Sequence, residues 1–86
     1  MIITTSQNIE GRNIAEYLGI VSAATIFVMP GGNKMVDRGW KNAVEEVDKL
    51  LIQQAAEMGA DAIIAVRYDA GIKMHLVATG TAVKLG

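Results

Sequence analysis

Residues 37–59 read DRGWKNAVEEVDKLLIQQAAEMG, and the fold turns on this stretch. Ala43, Val44, Val47, Leu50, Leu51, Ala55 and Met58 recur at helical spacing and make one apolar stripe. Lys41, Glu45, Glu46, Asp48 and Lys49 lie off it. The spacing predicts an amphipathic helix over 38–58. Asp37 is the expected N-cap, because its short carboxylate can accept from the free amides of the first turn. Gly59 is the expected C′ stop, where the chain needs a left-handed residue. Glu45 and Lys49 form an i,i+4 pair in the better orientation, worth about 0.2–0.5 kcal/mol. Trp40, in the first turn, is the expected anchor of the helix onto the sheet or onto a neighbouring subunit.

On either side of the helix the chain reads as strands. Ile2 to Thr5 is short and β-branched. Glu10-Gly11 is a turn signal. From Arg12 to Val28 the sequence is long and apolar, and a strand is expected, with a helical reading left open for Asn13 to Leu18. Gly19, or the Ser22-Ala23-Ala24 stretch, is the expected bulge or bend. Met29-Pro30-Gly31-Gly32-Asn33-Lys34 is a loop by composition. Beyond the helix, strict alternation over Ala60 to Asp69 puts Ala62, Ile64, Val66 and Tyr68 on one face and Ile63, Ala65, Arg67 and Asp69 on the other. Asp69-Ala70-Gly71 is a hairpin signal. In the last strand, Lys73 to Leu85, one face takes Met74, Leu76, Ala78, Gly80 and Ala82. The other takes Lys73, His75, Val77, Thr79, Thr81 and Val83. The expected order is β-β-α-β-β: an α+β domain spanning 1–86, with an antiparallel sheet covered on one face by one helix.

Composition bears on how such a domain is kept stable. A chain of 86 residues buries only about 60–65 % of the surface its unfolded form exposes. Small domains offset this with disulfides, metals or partners. No cysteine is present, which excludes disulfides and thiolate metal sites. His75 is the one histidine, which excludes a multi-histidine zinc site within one chain. The chain is 51 % hydrophobic and only 20 % charged, with a mean hydropathy of +0.30. So small a surface-rich domain should be more polar than average, and the surplus apolar area is expected to face other copies of the chain. The net charge is −1 without a basic patch, which argues against nucleic acid as a partner. No apolar run approaches the ~20 residues of a bilayer span. Residues 1–5 carry no secretory pattern, so a cytoplasmic location is expected.

Four segments carry a family resemblance: Ile9-Glu10-Gly11-Arg12, Glu16-Tyr17-Leu18-Gly19-Ile20-Val21-Ser22, Met58-Gly59-Ala60-Asp61-Ala62-Ile63-Ile64 and Ala78-Thr79-Gly80-Thr81-Ala82-Val83. In these, and in their order, the chain resembles the YbjQ-like family of small bacterial and archaeal proteins, described as heavy-metal-binding domains of unknown function. The resemblance implies a dodecin-like subunit assembled as a ring-shaped homopentamer. It also implies that the segment between the second strand and the helix, here Met29 to Gly39, is shorter than is usual for the family.

No catalytic motif is present: neither a P-loop, nor G-x-G-x-x-G, nor a nucleophile elbow. Gly80 reads as a close-packing glycine, since a phosphate cradle needs a helix N-terminus and no helix follows it. His75 is the first candidate metal ligand, at a site made between subunits, with Asp69, which can approach it across the hairpin, or Glu16 as its partner. A ring repeats each residue once per copy and so can build at an interface what one chain lacks. Such nitrogen and oxygen donors suit a divalent zinc or nickel ion. Glu16 has a structural alternative, an inter-subunit ion pair with Arg12 or Arg67. Two further readings follow from the same residues. One is a small enzyme with an interface site made of His75, Asp69 and Arg67. The other is a dodecin-like store for a flavin or similar aromatic ligand, with Trp40 and Tyr68 stacking on it. The favoured expectation is a non-enzymatic homo-oligomer that holds a metal or small ligand between subunits.

Overall fold

The computed structural model describes residues 1–26, 33–70 and 75–86, with the side chains of all of these except 33–38. Its elements are β1 (Ile2–Ile3), β2 (Ile14–Ile26), α1 (Asn33–Glu57), β3 (Ala62–Ala70) and β4 (His75–Leu85). The strands make one sheet in the order β1-β3-β4-β2, and α1 lies on one face, mainly over β2 and β4. The α+β class and the β-β-α-β-β order are as the sequence implies. Of the loop expected at 29–34, Asn33 and Lys34 belong to α1 instead, while residues 29–32, the turn at Gly71, and Lys73 and Met74 lie outside the described residues.

The core follows from the apolar stripe of α1. Val47, Leu51 and Ala55 are fully buried against Val21, Ile63, Val66, Leu76, Ala78 and Ala82. Met58, at the end of the stripe, stays exposed. The helix stops where Gly59 adopts φ +78. The Gly59 N–H donates to the Ala56 carbonyl and the Ala60 N–H to the Ala55 carbonyl, each at 3.0 Å, the paired bonds of a Schellman cap. The start differs from expectation. α1 begins at Asn33, so Asp37 sits inside it and is not the N-cap. The strong breakers, Pro30, Gly31 and Gly32, all precede Asn33, and nothing between them and Asp37 forbids a helix.

β2 is a strand throughout, and its helical alternative over Asn13 to Leu18 is not adopted. Its pairing with β4 shifts between Tyr17 and Gly19, where Gly19 takes φ +149. The bulge therefore falls at Gly19, and the ladder is regular through Ser22-Ala23-Ala24.

Two expectations about the sheet are corrected. First, the sheet is mixed rather than antiparallel, because β1 pairs parallel to β3 through Ile2–Ala62 and Ile3–Ile63. A strand of two residues carries no pattern that could fix its direction. The chain then returns through the Ile9–Arg12 turn to start β2 at the far edge. On the way Ile9, Ile14 and Leu85 pack on Ala62, Ile64 and Val83, on the face away from α1, and form a small second core.

Second, β3 does not alternate strictly. Its pairing with β4 slips between Ile64 and Arg67, and Ala65 has φ +53. The left-handed conformation costs a residue with a Cβ about 1–2 kcal/mol. Three hydrogen bonds from the N-terminal segment hold it. Ala65 N–H donates to Ser6 O at 2.8 Å, Val66 N–H to Thr4 O at 3.1 Å, and Thr4 N–H to Ile63 O at 3.0 Å. The slip divides the predicted face: Ala62 and Ile64 join the second core, while Val66 and Tyr68 turn toward α1 beside Ile63.

β4 keeps the predicted alternation, with Leu76, Ala78, Gly80 and Ala82 buried. A Cβ on Gly80 would stand 2.7 Å from Ile63 Cγ2 and 3.0 Å from Val66 Cγ2. Gly80 is therefore a close-packing residue that lets the bulged part of β3 lie against β4. Gly80→Ala is expected to lower the unfolding free energy by about 1–3 kcal/mol through overpacking. The measurement is a urea midpoint that falls while the slope is unchanged.

Candidate functional site

Because α1 covers one face, the opposite face decides what the domain can bind. Register places Ile26, Ala24, Ser22 and Ile20 of β2 beside His75, Val77, Thr79 and Thr81 of β4, with Asp69 and Arg67 of β3 beyond Val77 and Thr79. The second core closes one end of this face, and the rest is open. Ile20 is 80 % exposed, Tyr17 67 %, Ile26 66 % and Val77 38 %. An apolar band on β2 and Val77 thus runs beside a polar strip made of Arg67, Asp69, His75 and Thr79.

The residues singled out in the sequence separate into groups. Asp69 pairs with Val77, and His75 lies on the same face one pair further along, at diagonal range. Arg67 pairs with Thr79 on that face. These three are brought together. Glu16 is not. It pairs with Lys84, nine residues along β4 from His75, which is roughly 30 Å at the rise of a strand. Within one chain His75, Asp69 and Glu16 cannot hold one ion, and among the described residues no three His, Cys, Asp or Glu side chains converge on a metal position. A site using all three needs more than one copy.

Tyr68 and Trp40 belong to the helix side. The Tyr68 ring is partly buried against the main core, and its hydroxyl donates to Asp48 Oδ1 of α1 at 2.5 Å. Burial, then the hydrogen bond to Asp48, then the charge of that carboxylate push the phenol up from 10.0 to about 12. Trp40 is exposed on α1 two turns before Asp48. The expected aromatic pair is therefore divided from the His75 strip by the sheet itself. Three features were not read from the sequence. They are the tie from Asp48 to Tyr68, the exposure of Ile20 and Ile26, and a contact of Gln54 with Ser22. The one sequence sign of them was Asp48 and Gln54 falling at the margins of the helical stripe.

A family model described as “Putative heavy-metal-binding” matches residues 28–86. Curated relatives extend the match over nearly the whole chain. A UPF0145 protein of Pseudomonas putida (strain GB-1) is 33 % identical over 105 aligned residues, covering 99 % of each chain. One from Anoxybacillus flavithermus is 36 % identical over 107, covering 99 % of this chain and 98 % of its own. The chain belongs to this YbjQ-like family. A crystal structure of a protein of unknown function in the DUF74 family, from Pediococcus pentosaceus, has the same fold. Its TM-score is 0.75 at 18 % identity, over 100 % of this chain and 98 % of that one. An alignment of 105 positions against 86 residues leaves at least 19 positions of the Pseudomonas relative opposite gaps here. The family is uncharacterised, and its function is unknown. No helix among the described residues is long and apolar enough to cross a membrane.

The tie from Tyr68 to Asp48 gives a prediction with a definite sign. Below pH 10 both folded and unfolded chains keep the phenolic proton. Between pH 10 and 12 the unfolded chain releases it while the folded chain holds it, so stability falls as pH rises. Tyr68→Phe is expected to lose about 1 kcal/mol at neutral pH with the hydrogen bond, and to show a smaller drop in Tm from pH 10 to 12 than the parent. Equal drops in the two proteins would refute the assignment.

Proposed function

We propose that the protein works as a closed homo-oligomer, with the open sheet faces of neighbouring copies covering one another, and that it holds a divalent metal ion or a small polar ligand where the His75 strips meet. The observation that supports this reading is the exposure of Ile20, Tyr17, Ile26 and Val77 on one face that carries no helix. Burying a large aliphatic side chain is worth about 1.5–3 kcal/mol, whereas association of two bodies costs about 4–15 kcal/mol before any gain appears. One apolar band of this size is marginal against that cost. A closed ring gives each copy two interfaces, and the five-membered ring implied by the YbjQ-like resemblance is the form we adopt.

The ligand class follows from the residues beside the apolar band. Covering Val77 and Ile26 also takes Asp69, Arg67 and His75 out of water, and a desolvated charge needs a partner. Imidazole and carboxylate donors from adjacent copies suit a zinc- or nickel-like ion. A Glu16 carboxylate can join only from a second chain. The alternative of a store for a flavin-like ligand, as in dodecins, is the weaker reading, because the Tyr68 ring packs in the core and its hydroxyl is bonded to Asp48. An interface enzyme built on His75, Asp69 and Arg67 uses the same strip and is tested by the same variants.

Light scattering of the untagged protein at micromolar concentration is expected to give a multiple of the 9.2 kDa chain mass. Ile20→Lys is expected to dissociate it while circular dichroism stays that of the folded parent. In calorimetric titration with Zn²⁺, His75→Ala is expected to weaken binding at least about tenfold without changing the mass. A parent protein that runs as one folded 9.2 kDa chain would remove the reading altogether. An oligomer that takes up no metal would remove its second half.

A further inference from the structure

The outer edge of β2 carries a contact that open-face association does not use. Among the described residues β2 is an edge strand, with β4 on one side and no strand on the other. Ser22 pairs with Thr79, yet both of its peptide groups bond elsewhere. The Ser22 N–H donates to Gln54 Oε1 at 3.2 Å, and the Gln54 amide donates back to the Ser22 carbonyl at 2.5 Å. In an antiparallel ladder every second residue of an edge strand turns its N–H and C=O outward. Ser22 is such a residue, in the middle of the long run of β2. A side-chain carboxamide offers one donor and one acceptor and so imitates a peptide group of a missing neighbour strand.

A second observation, in the sequence of the strand, says why such a contact matters. Edge strands are commonly guarded by lysine, proline or an inward charge. From Tyr17 to Ile26 β2 contains no charged residue and no proline, and its run Gly19-Ile20-Val21-Ser22-Ala23-Ala24-Thr25-Ile26 is β-prone and uncharged. The bulges that could twist the edge away fall earlier, at the Ile14/Glu16 and Tyr17/Gly19 shifts. The usual guards are missing along the part of the edge where Gln54 sits.

We propose that Gln54 is an edge guard: its carboxamide saturates the outward peptide groups of Ser22 and stops a strand from a second copy from extending the sheet along Ile20–Ile26. The guard acts from α1, a different element, so the edge is closed only while the helix is seated. Partial detachment of α1 opens the edge, and folded copies then grow by strand addition. This device is independent of how the open faces associate.

The test uses the full chain. Gln54→Met keeps the side-chain length and the helix preference but removes the paired donor and acceptor. It is expected to speed hydrogen exchange of the Ser22 amide at least about tenfold. It is also expected to build thioflavin-positive, strand-rich species at concentrations where the parent keeps its mass. The companion variant adds Ser22→Pro, which removes the outward N–H at a position where an edge strand tolerates proline. The double variant is expected to return to the parent mass. Growth of Gln54→Met species that persists in the double variant would show aggregation through unfolding and overturn the proposal. So would a Gln54→Met protein with parental mass and parental Ser22 exchange.

Discussion

One helix can cover about two strands, and most features of this domain follow from that. A helix with its side chains is about 10 Å wide and strands lie about 4.8 Å apart. α1 therefore rests on β2 and β4, and the other strands are reached only at its margins. On the β3 side Asp48 accepts from Tyr68, and on the β2 side Gln54 brackets Ser22. The apolar stripe between them, Val47, Leu51 and Ala55, is buried completely. The stripe supplies the burial, and the two polar ties fix how the helix is rotated about its axis. The small residues Ala78, Gly80 and Ala82 on β4 keep the surface beneath the helix shallow.

The bulge at Ala65 reconciles β3 with this arrangement. Strict alternation would have sent Val66 and Tyr68 to the same face as Ala62 and Ile64, away from α1. One extra residue reverses the parity, so that Ile63 faces the helix before the slip and Val66 and Tyr68 face it after. The positive φ of Ala65 opposes this, and the hydrogen bonds that Ala65 and Val66 donate to the Ser6 and Thr4 carbonyls offset it. β1 is thus more than a short edge. Together with its extension it holds the irregularity that allows Tyr68 to reach Asp48, and the chain that leaves it carries Ile9 into the second core.

What the sequence discloses and what it conceals separate along these lines. The 3.6-residue stripe is repeated over about four turns, and Gly59 marks its end by a conformation that few residues share. Both are local signals, and both were readable. Gly80 and the alternation of β4 were readable for the same reason. The direction of β1 was not, because two residues have no period. The bulge at Ala65 was not, because alanine carries no mark of a left-handed conformation, and what holds it is some sixty residues away in sequence. The start of α1 differs from expectation because Asp37 is a good cap by residue type, although the strong breakers of the sequence, Pro30 to Gly32, stand five to seven residues earlier. For the candidate site, the hairpin signal was enough to place Asp69 near His75. The separation of Glu16 needed the register of β2 against β4, and the isolation of Tyr68 needed the bulge.

In the function we propose, the open face ties self-association to ligand chemistry. Its apolar band and its polar strip share Val77 as a border, so a surface that covers Ile20 and Ile26 well must also come down on Asp69 and His75. An oily partner would strip the water from those groups, at a cost comparable to what the apolar contact yields. A second copy brings the same strip with it, and two strips of mixed charge can pair directly or share a cation. In the assembly we propose, the polar groups thereby select the partner that the apolar groups favour. The edge of β2 poses the opposite problem, backbone polarity without side-chain charge, and there the chain answers within itself through Gln54. On the two proposals we make, a face whose apolar area calls for a partner and an edge where a partner would be harmful sit on the same strand, and one carboxamide distinguishes them.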